Sequence, residues 1–169
     1  EAGRAINSVD LCVQALRDGG GHEIPMDLTE AGAGRTAYTF REPIGPVVAI
    51  SAFNHPLNLI VHQVGPAVAA GCPVLIKPAL ETPLSCQSFV SILHEAGLPE
   101  AWCRFAPCGN DIAERMVTDP RTAFFSFIGS AKIGWMLRSK LAPGTRIALE
   151  HGGAAPVIVD NGVERAAVD

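Results

Sequence analysis

Short apolar runs alternate with stretches of helical hydrophobic spacing over most of the chain. The clearest run is 123–128, Ala-Phe-Phe-Ser-Phe-Ile, which is followed by Gly129 and Ser130. A nearly continuous apolar run predicts a strand covered on both faces, and Ser130 is a favourable N-cap for a helix. The helix is predicted from the apolar positions Ile133, Met136, Leu137 and Leu141, and Pro143-Gly144 should end it.

The junction between this strand and this helix has the chemistry of an anion site. Gly129 permits a tight turn and the close approach of a ligand. The free N–H groups and the positive dipole end of the helix would face one point, which suits a phosphate or pyrophosphate. An ordinary turn that binds nothing explains these few residues equally well.

The same pattern predicts further strands and helices after residue 46. The strands are 47–50, 74–76, 102–105, 123–128, 146–149 and 157–159. The helices between them are 57–68, 82–96, 112–117 and 130–141. In the second of these, Thr82 is the predicted N-cap and the predicted core face is Phe89, Ile92, Leu93 and Ala96. Strands that alternate with amphipathic helices predict the α/β class, with a parallel sheet covered by helices on both faces.

The first forty residues follow a different pattern. Residues 1–17 predict a helix with Ile6, Val9, Val13 and Leu16 on one side. After Gly19-Gly20-Gly21, residues 23–40 alternate in character and predict a protruding β-hairpin near the N-terminus. Because an exposed strand edge invites pairing, we expect this hairpin to be used in self-association.

In parallel sheets of this class, ligands bind where the strands end. This rule selects Ser51–Asn54, Lys77, Gly109, Gly129-Ser130 and Glu150. An asparagine amide can donate to an oxyanion, a lysine can bind ribose hydroxyls or phosphate, and a carboxylate can act as general base. Taken singly, a turn asparagine, a solvated lysine and a turn carboxylate are the commoner explanations.

Composition narrows the class further. The chain has 169 residues, of which 48% are hydrophobic and 18% charged, and a net charge of −4. These values predict a globular domain and give no electrostatic case for nucleic acid or a membrane surface. The five cysteines contain no C-x-x-C pair, so neither a disulfide framework nor a metal site is expected. Residues 1–9 have no apolar core like that of a signal peptide, so we expect a cytoplasmic protein.

Taken together, the motifs at these positions are specific. They are Pro43–Val48, Phe53–Leu57, Ala67–Pro78, Glu81–Ser85, Glu95–Pro99, Phe127–Ser130 and Leu149–Gly153. In this order they resemble P-x-G-V-V, P-W-N-x-P-L, A-L-A-A-G-N-x-V-V-x-K-P, E/Q-T-P-L-S, E-A-G-L-P, F-T-G-S and L-E-L-G-G of the aldehyde dehydrogenase superfamily. The resemblance covers about residues 41–160.

The resemblance implies a Rossmann-like sheet and a homodimer or homotetramer that oxidises a small-molecule aldehyde with NAD or NADP. A cysteine thiolate attacks the aldehyde in this family, Asn54 would hold the oxyanion, and Glu150 would activate the hydrolytic water. Ser130 would contact the pyrophosphate and Lys77 the adenosine ribose. The implied cofactor-binding set is Ile50, Ser51, Ala52, Phe53, Lys77, Ala79, Gly109, Gly129, Ser130, Ile133, His151 and Gly152.

Several positions depart from the family pattern. Phe53 replaces tryptophan, Ile128 replaces threonine and His151 replaces leucine. Leu80 stands where many NAD-using members carry a ribose-binding glutamate, with Glu81 one place later. A non-catalytic nucleotide-binding module, or a regulatory relative with a degenerate site, is therefore the alternative prediction.

The family's nucleophilic cysteine follows the glutamate, whereas all five cysteines here precede Glu150. We therefore expect a fragment that is inactive by itself. Its expected parts are a helix tail at 1–22, an oligomerisation hairpin at 23–42 and an incomplete dinucleotide-binding domain at 43–169.

Overall fold

A five-stranded parallel sheet lies at the centre of the computed structural model, which describes residues 1–153, 155–156 and 158–159. Its strands are β3 (Val47–Ile50), β4 (Val74–Lys77), β5 (Cys103–Phe105), β6 (Phe124–Ile128) and β7 (Arg146–Glu150). The helices are α1 (Ala2–Asp18), α2 (Asn58–Ala69), α3 (Leu84–Glu95), α4 (Asn110–Thr118) and α5 (Ala131–Arg138). The predicted α/β class with a parallel sheet is confirmed.

The strand order is β5-β4-β3-β6-β7, so the chain builds outward from β3 in one direction and then in the other. Helices α2 and α3 pack on the sheet face that holds Val47 and Ala49. Helices α4 and α5 pack on the opposite face, which holds Val48 and Phe125. All five strands are parallel, but the side of β3 on which new strands are added changes between β5 and β6, so the strand order switches at the β3–β6 pair. Sheets of this type bind ligands at such a switch point.

Two predicted helix boundaries were wrong. The helix after Ser130 ends at Arg138 and not near Leu141, because the N–H groups of Lys140 and Leu141 bond three residues back and the Ser139 hydroxyl bonds the Met136 carbonyl. Thr82 does not cap α3, which starts at Leu84 after Pro83. The Thr82 hydroxyl is buried without a described hydrogen-bond partner.

Three further local predictions need correction. Trp102 belongs to a 3₁₀ turn (Glu100–Trp102), so β5 begins one residue later than predicted. Ile92, assigned to the core face of α3, is 58% exposed, and the buried residues of that helix are Cys86, Phe89 and Val90. The strand predicted over 157–159 includes position 157, which lies outside the described residues, and Ile158 and Val159 belong to no strand.

Helix α1 packs along α2 and extends the core through Ala5. The Glu1 carboxylate accepts hydrogen bonds from the N–H groups of Leu57 (2.8 Å) and Asn58 (3.0 Å) at the start of α2. These bonds, that from Asn58 above all, hold the pKa of Glu1 below its ordinary value. The sequence predicted an apolar side of α1. In the described structure the residues of that side are exposed: Ile6, Val9, Val13 and Leu16.

The hairpin consists of β1 (Glu23–Ile24) and β2 (Ala37–Tyr38), which are antiparallel and pair through only two residues each. Its large apolar side chains are exposed: Ile24, Leu28, Tyr38 and Phe40. Among the residues the model describes, no helix has both the length and the apolar character needed to span a bilayer.

Candidate functional site at the carboxyl edge of the sheet

The carboxyl edge, where β3–β7 end, brings the predicted site residues together. Ile50 at the end of β3 pairs in register with Lys77 of β4 and with Phe127 of β6. Glu150, the last residue of β7, pairs with Ile128. We call the space between the carboxyl ends of β3 and β6 the switch crevice. It lies between the Ser51–Asn54 loop on one side and the Gly129-Ser130 turn on the other.

The Gly129-Ser130 turn leads directly into α5. The Gly129 N–H donates to the Glu150 carbonyl at 3.1 Å, and Ser130 is the extended N-cap, with φ −74° and ψ 143°. The Ser130 side chain makes no capping hydrogen bond and is exposed. The first N–H groups of a helix have no partner within the helix, so they and the Ser130 hydroxyl can bind an anion.

The two helix N-termini at this edge differ in charge. The first turn of α5 contains no acidic residue, whereas that of α4 contains Asp111. A Cβ at Gly109 would lie 2.9 Å from Asp111 Oδ1, so this carboxylate folds back over the start of α4. Since a carboxylate there competes with an anion, the N-terminus of α5 is electrostatically the more favourable of the two for an anion.

The ring of Phe127 packs against the start of α5. A Cβ at Gly129 would lie 2.7 Å from the Phe127 ring, and one at Gly134 would lie 3.0 Å from it. These two glycines therefore let the turn and the first helical turn sit directly on a buried aromatic ring. The resulting close packing fixes where the N–H groups point.

Lys77 is a buried cation at the end of β4, with 7% of its surface exposed. Its Nζ donates to the Pro78 carbonyl at 3.2 Å, and this is its one side-chain hydrogen bond in the described structure. An ammonium group has three donors, so Lys77 retains capacity for a ligand hydroxyl. The Lys77 carbonyl accepts from the Ser51 N–H at 3.0 Å, which ties the two strand ends together.

Asn54 and Glu150 are both exposed at this edge. Strand alternation places Glu150 on the opposite side of β7 from Leu149, which packs with α4 and α5. Glu150 therefore lies on the α2 side of the sheet. Asn54 precedes α2 in the loop after β3, so both groups are available to a ligand from that side.

His151 directs its side chain onto α5. Its ring centroid lies 5.7 Å from that of Trp135, and a Cβ at Gly134 would come within 3.0 Å of His151 Cδ2. Its Nε2 atom is buried without a described hydrogen-bond partner. Gly152 follows with φ +40°, a conformation that favours glycine, so the chain turns sharply just after the predicted general base.

Gln63, a buried amide on α2 that contacts both central strands, was not among the residues predicted from the sequence. Its Nε2 lies 3.2 Å from the carbonyl oxygens of Ile50 and Ser126. The signal available in the sequence was a polar residue directly before Val64, in a helix whose buried residues are mostly apolar. In the described residues, no group of three His, Cys, Asp or Glu side chains is arranged to hold a metal ion.

Comparison with known proteins shows the family of the chain. The model of the aldehyde dehydrogenase family matches residues 1–169, and the chain therefore belongs to that family. Aspartate-semialdehyde dehydrogenase 1 of Pseudomonas canavaninivorans is 36% identical over 159 residues, which are 94% of this chain and 34% of that protein.

Two solved structures are similar in fold and sequence. Aldehyde dehydrogenase 21 of Physcomitrella patens, in complex with the reaction product succinate, has a TM-score of 0.84 and 35% identity, covering 90% of this chain and 32% of its own. Glyceraldehyde-3-phosphate dehydrogenase GapN of Methanocaldococcus jannaschii, complexed with NADP, has a TM-score of 0.79 and 31% identity. This match covers 89% of this chain and 32% of the GapN chain. The chain thus spans about a third of the length of the proteins it resembles.

Proposed function

We propose that the chain is the cofactor-binding part of an aldehyde dehydrogenase that oxidises an aldehyde to a carboxylic acid with NAD or NADP. The observation that carries the proposal is the meeting of a free helix N-terminus, a buried lysine, an asparagine amide and a carboxylate at one sheet edge. Family membership and an NADP-complexed structural neighbour support the choice of cofactor.

Each group has a role that its chemistry supports. The α5 N-terminus and Ser130 bind the pyrophosphate, and Lys77 donates to a ribose hydroxyl. The rest of the proposed cofactor set lines the groove: Ile50, Ser51, Ala52, Phe53, Ala79, Gly109, Gly129, Ile133, His151 and Gly152. When bound, the nicotinamide accepts the hydride of the aldehyde.

Asn54 and Glu150 carry the chemistry that this chain supplies. The Asn54 amide donates to the oxygen of the aldehyde as negative charge develops on it. Glu150 takes a proton from the water that releases the product acid. The nucleophilic cysteine expected from the family lies outside this chain, so the activity belongs to the whole protein.

The test is a titration of NAD and NADP into the whole protein, followed by an assay against an aldehyde panel. The similar proteins are named for acidic aldehydes or products, so the panel starts with succinate semialdehyde and includes simple aliphatic aldehydes. Binding with turnover supports the enzyme. Binding without turnover of any aldehyde favours the alternative, a nucleotide-binding module or regulatory relative, and failure to bind either nucleotide contradicts both.

We also propose that the 169-residue chain alone does not oxidise aldehydes. Without a cysteine at the site, no thiohemiacetal can form there. The purified chain should therefore give no reduced cofactor with any aldehyde of the panel. Turnover by the chain that is abolished by Asn54→Ala would refute this.

Three further points are proposals: a division of the chain into 1–22, 23–42 and 43–169, a homodimeric or homotetrameric assembly, and a cytoplasmic location. The exposed apolar side chains of the hairpin support self-association, because such surface is unfavourable in water. Light scattering on the whole protein should give at least the mass of a dimer. A monomer at high protein concentration contradicts the proposed assembly.

A further inference from the structure

Gln63 contacts both β3 and β6, the two parallel strands at which the strand order switches. Its Nε2 lies 3.2 Å from the Ile50 carbonyl oxygen, and 3.2 Å and 3.0 Å from the carbonyl and hydroxyl oxygens of Ser126. The residue is 6% exposed. Because carbonyl oxygens only accept hydrogen bonds, the nitrogen of the amide must be the atom that faces them.

The position of these contacts gives them their significance. Ile50 ends β3, and Ser126 pairs in register with Ala49, one residue earlier. Past these pairs, the two strands continue into the opposite walls of the switch crevice, Ser51–Asn54 and Gly129-Ser130. One side chain on α2 therefore bonds to both strands just before they lead into these two walls.

We propose that Gln63 is a positioning residue that holds these two walls at the separation needed to bind the dinucleotide. This inference rests on the proposed function. The amide donates from the α2 side to both strands, so it couples the helix to the crevice as well as one strand to the other. A displacement of a few tenths of an ångström between groups that bind one ligand is enough to weaken binding.

Two comparisons within the chain set Gln63 apart from an amide that merely fills space. Asn58, on the same helix, is 1% exposed, and neither atom of its amide has a described partner, whereas Gln63 has partners at Nε2 and none described at Oε1. Ser126 is the single hydroxyl residue in the apolar run 123–128, and its side chain supplies the third acceptor. The hydrogen bonds that link α2 to both β3 and β6 therefore involve the Gln63 amide as donor and Ser126 as one of its acceptors.

The test compares variants of the whole protein that are folded by circular dichroism. Gln63→Met keeps the length of the side chain and removes its donor, so the dissociation constant for NADP should rise about tenfold. The Michaelis constant for the aldehyde should change by less than about twofold, because Gln63 is proposed to position groups that bind the dinucleotide. A general loss of folded protein would change neither constant, so a rise in the NADP constant alone indicates positioning. Gln63→Lys restores a donor to the same oxygens and should bind NADP within about threefold of the native protein.

Asn58→Leu is the matched control, and it should leave NADP affinity within about twofold of native. Ser126→Ala removes one acceptor, should fold normally, and should raise the dissociation constant about threefold. If Gln63→Met does not fold, Ser126→Ala decides: the threefold rise supports the proposal and native affinity overturns it. Native affinity in folded Gln63→Met also overturns it.

Amide hydrogen exchange gives a readout that needs no cofactor. The N–H groups of Ser51 and Gly129 bond across strand ends at 3.0 Å and 3.1 Å, and both should exchange faster in Gln63→Met than in Asn58→Leu. If the native protein binds neither NAD nor NADP, the proposed function fails and this exchange measurement alone decides the role of Gln63. Equal exchange in the two variants contradicts the proposal.

Discussion

The backbone N–H of Gly129 donates to the carbonyl of Glu150 at 3.1 Å, so the proposed phosphate turn and the proposed general base share a hydrogen bond. A movement of the turn therefore moves the end of β7. One peptide hydrogen bond therefore joins the proposed cofactor site at the α5 N-terminus to the proposed proton transfer at Glu150.

Gly129→Ala should weaken cofactor binding and destabilise the fold. The added Cβ would lie 2.7 Å from the Phe127 ring, so the turn or the ring must shift. We expect a loss of about 1–3 kcal/mol in the free energy of unfolding, measured in urea, as for other overpacked sites. The dissociation constant for NADP should rise about tenfold, because the N–H groups of α5 lose their alignment.

The matched control is Gly20→Ala, at a glycine whose added Cβ meets no atom within 4 Å. It should change neither quantity. Native stability in Gly129→Ala would show that Phe127 moves aside without cost and would remove the basis of this prediction.

Glu150→Gln should lower the steady-state rate of the whole protein by about 100- to 10,000-fold. The amide cannot take a proton from water, so release of the acid slows while the first hydride transfer is retained. Stopped-flow absorbance should show a burst of reduced cofactor equal to the enzyme present, followed by little turnover. Glu100→Gln, which removes an exposed carboxylate paired with Arg104, is the control. Loss of the burst would place Glu150 in an earlier step.

Leu80 should decide the choice between the two cofactors. A carboxylate at this position would accept hydrogen bonds from both ribose hydroxyls and repel a 2′-phosphate, whereas Leu80 is an exposed apolar side chain. We therefore expect NADP to bind at least as well as NAD, and Leu80→Glu to favour NAD by about tenfold or more.

Both cofactors should be titrated at one ionic strength, with Leu84→Glu as a control that adds the same charge at another exposed position. A strong native preference for NAD that Leu80→Glu leaves unchanged would contradict the prediction. Glu81 would then be the carboxylate to test.

Alkaline pH should destabilise the core through Cys86. Burial, and then the nearby Cys103, raise the pKa of Cys86 from 9.0 to about 12. Between these values the unfolded chain loses a proton that the folded chain retains, so stability is unaffected below pH 9 and falls as the pH rises above it. The free energy of unfolding should fall by up to about 1.4 kcal/mol per pH unit for this thiol.

Urea unfolding at pH 8 and pH 10.5 tests this prediction. Cys86→Ala should be less stable at both values but should show a smaller loss between them. Val90→Ala, a buried residue of the same helix, removes packing without removing a thiol and should keep the native pH dependence. Equal pH dependence in all three proteins would exclude Cys86 as the cause.

The sheet was predictable because its strands are short apolar runs bounded by turn residues, and both features can be read locally from the sequence. Residues 47–50 were predicted as a strand and form β3 with all four residues buried. The edge that gathers Lys77, Gly129 and Glu150 followed from one rule about parallel strands. The helix boundaries near Thr82 and Leu141 were less predictable. Each boundary depends on which partner the local N–H and hydroxyl groups bond, and the sequence pattern does not show this.

Gln63 and the exposed side of α1 could not be predicted from local pattern. A polar residue on an apolar helix face does not reveal its partners, and Gln63 bonds to two strands whose adjacency follows from the order of the whole sheet. Likewise, Ile6 and Leu16 follow helical spacing but remain exposed in the described residues. Periodicity reports which residues share a face and not what covers that face.

The strand order also has a consequence for synthesis of the protein. As the chain leaves the ribosome, β3, β4 and β5 can pair in succession, because each is the neighbour of the next. The other edge of β3 must wait until Phe124–Ile128 has been made, and until then an apolar strand with unpaired peptide groups is open to other chains. Nascent chains arrested shortly before Phe124 should therefore aggregate or recruit chaperones more than chains arrested after Glu150.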